Sequence, residues 1–420
     1  MMEFFKLRFF LVIFFLVLQS CTVNSVKQNQ NGNNGHPVYQ FSARLLNQVA
    51  LEKGREGSSH NILISPFSIR TALAIMSLGS KGQTASEIQN VLKLPLAQDE
   101  LVQNLARQIS STLNSESSTL KIGNGLFIDK SFSINETLAT QLKSKLGSTV
   151  QTVDFKNDNV GSSATINKWI SSLTKGYIQN LVAPPSSTTP TFSFLLANSL
   201  FYSGSWDKPF TVLAKKSDFM LDTGNRVKVT MMSLESIFGY SYIHDLKSIG
   251  ISIPFKDDRF HFIILKPDDG QTVNSVRPLL NSYPLEKLVS NLEQNLRTVT
   301  LSLPKFTLKA NYDTMNVMRK MGIVSLFDPN SSDLSGFATP KSSKSNKKTP
   351  HTELPVVSRM IHQTHLEINE VGATAAATTT LSGYPISVAS SLEINSPFLF
   401  ILNDRLTGPV LIGQLVNPLQ

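Results

Sequence analysis

The chain has 420 residues, 41% hydrophobic and 16% charged, with a formal net charge of +9. That composition suits a globular chain with a large core and excludes a domain too small to fold without staples. No Gly/Pro-rich linker divides the interior and no fixed-period repeat is visible, so one large domain is the simplest reading. The basic excess fits acidic partners such as polyanionic sugars, but a solvated surface accounts for it as well, and nothing points to nucleic acid.

Lys6 and Arg8 precede a purely apolar run over residues 9–18. A membrane-spanning helix needs about 20 such residues. The pattern is that of a secretory signal peptide, residues 1–22, cut between Ser20 and Val23; an uncleaved anchor is the competing reading. Residues 23–36, rich in Asn, Gln and Gly, read as a disordered leader. Cys21, the only cysteine, sits at the expected cut, so the mature protein has no internal disulfide, and its length makes one dispensable. Asn135 and Asn330 open N-x-S/T tripeptides and are candidate glycosylation sites of a secreted, extracellular chain.

In chain order, Phe41, Leu45 and Val49 define one helical face. Ser65-Pro66 starts a second helix, with Ser as cap and Pro at the first position, and Ile69, Leu73 and Met76 continue its buried face. Thr84 and Glu87 form a capping-box pattern ahead of Ile88, Val91 and Leu92. Leu101, Leu105 and Ile109 mark another helix, as do Leu138, Leu142 and Leu146, and then Ile166, Trp169, Ile170 and Leu173. Strands follow: residues 192–202 form an apolar run fit for a strand buried on both faces. Further strands are expected at 226–232, 260–265, 298–303, 361–368, 398–402 and 410–416. A helical first half and a strand-rich second half predict an α+β fold.

Enzyme chemistry finds no support. There is no G-x-S-x-G elbow, no H-E-x-x-H and no phosphate loop. Ser172-Leu173-Thr174-Lys175 matches S-x-x-K without its companion motifs. His351, His362 and His365 lack a matching cysteine or carboxylate spacing for a metal. Gly123-Asn124-Gly125 reads as a turn or bulge. The chain is expected to be neither an enzyme nor a cofactor protein.

Residues 370–391 are unusual: small side chains fill 372–380, and no charge stands between Glu370 and Glu393. Their Glu-x-Gly-x-x-Ala-Ala-Ala pattern resembles the hinge of the serpins, the serine protease inhibitor family. The resemblance extends over roughly 37–420. Residues 61–69 (Asn-Ile-Leu-Ile-Ser-Pro-Phe-Ser-Ile), with Ala72, Leu73, Met76, Gly79 and Gly82-Gln83-Thr84, resemble the family's buried second helix. Residues 197–206 (Ala-Asn-Ser-Leu-Phe-Tyr-Ser-Gly-Ser-Trp), with Pro209-Phe210, resemble its central strand. Leu303-Pro304-Lys305-Phe306, Met321-Gly322-Ile323 and Asp333-Leu334-Ser335-Gly336 follow in family order, as do 393–400 (Glu-Ile-Asn-Ser-Pro-Phe-Leu-Phe) and 413–418.

The resemblance implies three sheets, eight or nine helices and an exposed reactive-centre loop over 370–391, in a single domain spanning 37–420. It implies a monomer that traps a target serine protease covalently. By family spacing, sixteen residues on from Glu370 and eleven back from Pro397 both give Ile386, so the bait bond is Ile386–Ser387. Ile there suits an elastase-like pocket, or some chymotrypsin-like ones, and cannot meet the carboxylate of a trypsin-like pocket. Glu370, Gly372, Ala373, Thr374, Ala375, Ala376 and Ala377 form the hinge, and after cleavage the loop is expected to enter the largest sheet. Ser65, Ser68, Asn198 and His362 correspond to a buried polar cluster beneath the opening sheet, the shutter. Trp206, Lys305 and Glu370 match the breach, where the loop first enters, with a Lys305–Glu370 pair expected.

Two departures stand out. Ala373 replaces the usual Thr or Ser. Residues 337–355 form a longer surface insertion with a basic cluster, Lys341, Lys344, Lys347 and Lys348, a weak polyanion candidate. The helix at Leu101 carries only Arg107 as a basic residue, against a heparin site there. The alternative function is a non-inhibitory carrier or chaperone.

Overall fold

In the computed structural model, which describes residues 35–54, 60–95, 97–113, 118–183, 192–256, 258–341, 354–371 and 390–420, the four-residue apolar steps become helices. The expected signal peptide, hinge residues 372–377, the bond Ile386–Ser387, Lys344, Lys347, Lys348 and His351 lie outside the described residues. Helix α1 (Pro37–Lys53) buries Phe41, Leu45 and Val49. Helix α2 (Pro66–Gly79) starts as expected: the Ser65 side chain accepts from the Ser68 N–H at 3.0 Å. Nearly every side chain of α2 is buried, as befits a helix apolar all round. Then come α3 (Gly82–Leu92), α4 (Gln98–Leu113), α5 (Glu136–Leu146), α6 (Asn159–Leu173), the single turn α7 (Val273–Val276), α8 (Leu285–Gln294) and α9 (Met315–Met321).

The strands, in order, are β1 (Ile62–Ile64), β2 (Ser118–Asp129), β3 (Phe132–Ile134), β4 (Thr149–Val153), β5 (Phe194–Gly204), β6 (Thr211–Val212), β7 (Ser217–Met220), β8 (Arg226–Val229) and β9 (Met231–Ile243). They continue with β10 (Ser248–Pro254), β11 (Phe260–Pro267), β12 (Leu296–Pro304), β13 (Phe306–Asp313), β14 (Ala338–Pro340), β15 (Val357–Ile368), β16 (Ser390–Glu393), β17 (Phe398–Asp404) and β18 (Gly408–Leu415). One sheet has five strands, ordered β13-β15-β5-β2-β4. A nine-stranded sheet runs β1-β18-β17-β11-β10-β9-β12-β16, with β6 on β9. Two-stranded ladders β14-β3 and β7-β8 complete the pairing among the described residues. The α+β class holds, with the helices and several sheets that the sequence implies.

At the centre of the five-stranded sheet, β5 is buried on both faces, as its apolar run requires. Leu195 and Ala197 point to one side, where Ile166 and Ile170 of α6 cover them. Leu200 and Tyr202 join Phe262 and Phe400 of the nine-stranded sheet in a second cluster.

Three local sequence expectations are corrected. Thr84 and Glu87 do not cap α3, which starts at Gly82 without a side-chain cap. Thr84 Oγ1 instead accepts from the Asp333 N–H (3.0 Å), and Glu87 accepts from the Val324 and Ser325 N–H groups (2.8 Å each). Gly123-Asn124-Gly125 is no turn: it lies inside β2, in register with Ser199, Asn198 and Ala197 of β5. A Cβ on Gly125 would stand 2.9 Å from the Trp169 ring of α6, so the glycines allow close helix–sheet approach. The strand expected at 226–232 divides into β8, paired with β7, and the start of β9. Of the 337–355 segment, residues 337–341 and 354–355 are described. Phe337 is buried against Gly79, β14 pairs with β3, and the buried Pro355 carbonyl accepts from Ser332 Oγ at 3.0 Å. His36 belongs to the folded unit His36–Gln420 and donates its N–H to Glu286 at 3.0 Å.

Candidate functional site

The two described flanks of the 372–389 segment belong to different sheets. Its upstream flank follows β15 in the five-stranded sheet; its downstream flank, β16, pairs in parallel with β12 in the nine-stranded one. The neighbour of β15 that matters is β5. The two run parallel from Val357–Phe194 to Leu366–Tyr202, with one irregularity near Val357. The sheet in which β15 lies, beside β5, is the five-stranded one.

Midway along this pair lies a row of three polar residues on adjacent strands: His362 of β15 opposite Asn198 of β5, itself opposite Asn124 of β2. Side chains alternate along strands, so all three point to one face, toward the N-terminus of α2. The Ser65 N–H donates to His362 Nε2 at 3.0 Å. A backbone N–H can only donate, so Nε2 is the acceptor and the ring proton sits on Nδ1, which donates to Asn198 Oδ1 at 2.5 Å. Ser68 Oγ donates to the same oxygen at 2.7 Å. The Asn198 amide donates to Asn124 Oδ1 (2.6 Å) and to the Ser68 carbonyl (3.0 Å). Ser65 Oγ donates to the Val410 carbonyl of β18 at 2.7 Å. His362 is fully buried, and desolvation holds its pKa down at about 3. A proton on Nε2 would face the Ser65 N–H donor, so the network works only with a neutral ring.

The structure brings Ser65, Ser68, Asn198 and His362 together, and with them Asn124, which the sequence reading did not single out for this cluster. The signal was the polar residue flanked by two glycines, which reads equally well as a turn.

At the end of the same strand pair, the chain leaving β15 is gripped through its backbone. Trp206 is 3% exposed and stacks on Phe255, with ring centroids 4.3 Å apart. A buried indole N–H requires a partner, and Trp206 Nε1 donates to the Asn369 carbonyl at 2.7 Å. The Phe210 N–H donates to the Glu370 carbonyl at 2.8 Å, and the Trp206 N–H to that of Val371 at 3.3 Å. Lys305, between β12 and β13, forms an ion pair with the Glu370 carboxylate. The hydrogen bond from Lys305 is the main reason the Glu370 carboxyl lies below its ordinary pKa. Both side chains are about a third exposed, and such pairs contribute about 0.2–1 kcal/mol.

Other candidates are placed apart. Asn135 caps α5 through Oδ1 and donates Nδ2 to the Gly336 carbonyl at 2.9 Å; Asn330 donates to Asp328 at 3.3 Å, and both are exposed. Lys341 is exposed just after β14, its N–H bonded to the Ser131 carbonyl at 2.9 Å. Among the described residues no group of three His, Cys, Asp or Glu could hold a metal ion.

Residues 37–418 match the family model described as Serpin (serine protease inhibitor), and the chain belongs to that family. It is 31% identical to the alpha-1-antiproteinase of Callosciurus caniceps over 397 residues, 92% of this chain and 91% of that one. It is 27% identical to the leukocyte elastase inhibitor of Homo sapiens over 387 residues, 90% of this chain and 98% of the relative. Among solved structures it resembles thyroxine-binding globulin in complex with thyroxine, with a TM-score of 0.75, 24% identity, and coverage of 91% of this chain and 98% of that one.

Proposed function

We propose that the chain is exported and acts as a suicide inhibitor of serine proteases with elastase-like specificity, offering Ile386–Ser387 as bait. The observation that carries this reading is the direction of two strands. β5 and β15 are parallel neighbours, and residues 372–380, beyond Glu370, have small, uncharged side chains. A strand turning back after β15 and entering between them runs antiparallel to both. One parallel ladder is thereby exchanged for two antiparallel ones, which are slightly more stable per residue. No charge has to be buried, which would cost several kcal/mol per ion.

The magnitudes require one further contribution. Each new hydrogen bond gives about 0.5–1.5 kcal/mol net, and each ordered residue costs about 1–2 kcal/mol. Hydrogen bonds alone roughly break even. The closed sheet must therefore be a kinetically trapped arrangement that insertion relieves. In the trapping step, the protease serine attacks the Ile386 carbonyl, the Ser387 amine leaves, and the protease remains esterified to Ile386. Insertion then drags the acyl-enzyme along and distorts its catalytic groups before water can release it.

Two relatives are named for antiproteinase and elastase-inhibitor activity, which supports the target class. A carrier is the second reading, favoured by the likeness to thyroxine-binding globulin. The two separate on incubation with an elastase-type protease followed by denaturing electrophoresis. Inhibition predicts a covalent complex of summed mass. A cut loop beside fully active protease would overturn it in favour of the carrier.

A further inference from the structure

The chain has one cysteine, Cys21, and neither the fold nor the proposed trap uses it. It stands in a particular context. Lys6 and Arg8 are followed by the apolar run 9–18, and that run ends in Leu18-Gln19-Ser20-Cys21. The residues after Cys21 turn abruptly polar, with Thr22, Asn24, Ser25, Lys27, Gln28 and Asn29. The folded unit starts only at His36.

We infer that Cys21 is a lipid-attachment residue, carrying a thioether-linked diacylglyceryl group and forming the mature N-terminus. An export signal holds its apolar run within the bilayer, so the residues just beyond it meet the phospholipid headgroups. A thiol is the strongest nucleophile among the side chains there. Ser20 is small, as a peptidase requires immediately before the bond it cuts. Processing motifs of this kind decide whether a chain is soluble or anchored, and they are read from sequence before any fold.

The chemistry balances without oxidant or reductant. The Cys21 sulfur forms a bond to the terminal glycerol carbon of a phosphatidylglycerol, and the carbon–oxygen bond to the phosphate breaks. Glycerol phosphate leaves, and the thiol proton passes to a base. Water then hydrolyses the Ser20–Cys21 peptide bond and frees the Cys21 amino group. Each acyl methylene buried in the bilayer contributes about 0.8 kcal/mol, and two chains suffice for stable anchoring where one does not. The inhibitor would then sit on a membrane surface rather than diffuse freely. The inference rests on the export half of the proposed function and is independent of the trap.

The test is expression of the full chain in a Gram-negative bacterial host fed an alkyne-tagged fatty acid, with an established lipoprotein labelled in the same culture. The wild type should carry label, partition into the detergent phase of Triton X-114 and give an N-terminal peptide starting at Cys21 with the diacylglyceryl mass. The label should resist neutral hydroxylamine, which removes thioester-linked acyl groups. Cys21→Ser should be unlabelled and give no N-terminal peptide of diacylglyceryl mass, with unchanged thermal unfolding of its folded unit. A cut chain with an unlabelled Cys21, or a label lost to hydroxylamine, would overturn lipidation alone. A chain that keeps residues 1–20 would overturn export as well.

Discussion

His362 is the residue whose ionisation matters most to the fold. Its pKa of about 3 in the native state lies below the 6.5 of an unperturbed histidine. Below pH 6.5 the unfolded chain takes up a proton that the native chain refuses. Unfolding therefore becomes easier as pH falls from 6.5 toward 3, at up to about 1.4 kcal/mol per pH unit from this one group, and above 6.5 the contribution is constant. Denaturant titrations across pH 4–7 should show that slope reduced in His362→Gln. It should not vanish, because burial also lowers the pKa of His36 and His365. Asn124→Ala should cost about 1–3 kcal/mol, since the buried Asn198 amide loses its 2.6 Å acceptor. An unchanged denaturation midpoint would remove Asn124 from the network. At the bait, Ile386→Arg should redirect inhibition toward trypsin-like proteases, read as loss of complex with an elastase and gain with trypsin.

At the scale of elements, control of the β5–β15 pair is divided between a lock and a grip. The lock is the His362–Asn198–Asn124 row under α2. The grip is Trp206 and Phe210 on the backbone of residues 369–371, with Lys305 on Glu370. Glu370→Lys puts two cations together at the end of β15 and should loosen the grip. On mild heating, size-exclusion chromatography should show self-polymerisation; a variant that stays monomeric would count against the pair. This level was only partly legible in the sequence. The apolar periodicity of α1, the Ser65 cap of α2 and the buried run of β5 were readable because local chemistry decides them. β2 was missed because Lys121, Gly123, Asn124 and Gly125 break its apolar pattern, and its glycines make sense only once Trp169 is packed over them. Thr84 and Glu87 misled because their partners, Asp333, Val324 and Ser325, lie far along the chain. The breach pair was reached through family resemblance, since nothing local links Lys305 to Glu370.

At the scale of the whole molecule, the described flanks of the 372–389 segment lie one beside the five-stranded sheet and the other in the nine-stranded sheet. While the segment is intact, its downstream flank is held at β16 and cannot follow β15 back into the sheet. Under the proposed function, cutting Ile386–Ser387 separates the two flanks and frees the upstream half to enter between β5 and β15. The central claim is therefore that cleavage converts a trapped five-stranded sheet into a six-stranded one. Thermal unfolding of the intact chain and of the chain nicked at Ile386–Ser387 tests it most directly. Insertion predicts that the nicked form unfolds on the order of 10 °C or more above the intact form, since a gain of several kcal/mol shifts the midpoint of a chain this size by degrees per kcal/mol. An unfolding temperature unchanged or lowered by the cut would contradict it.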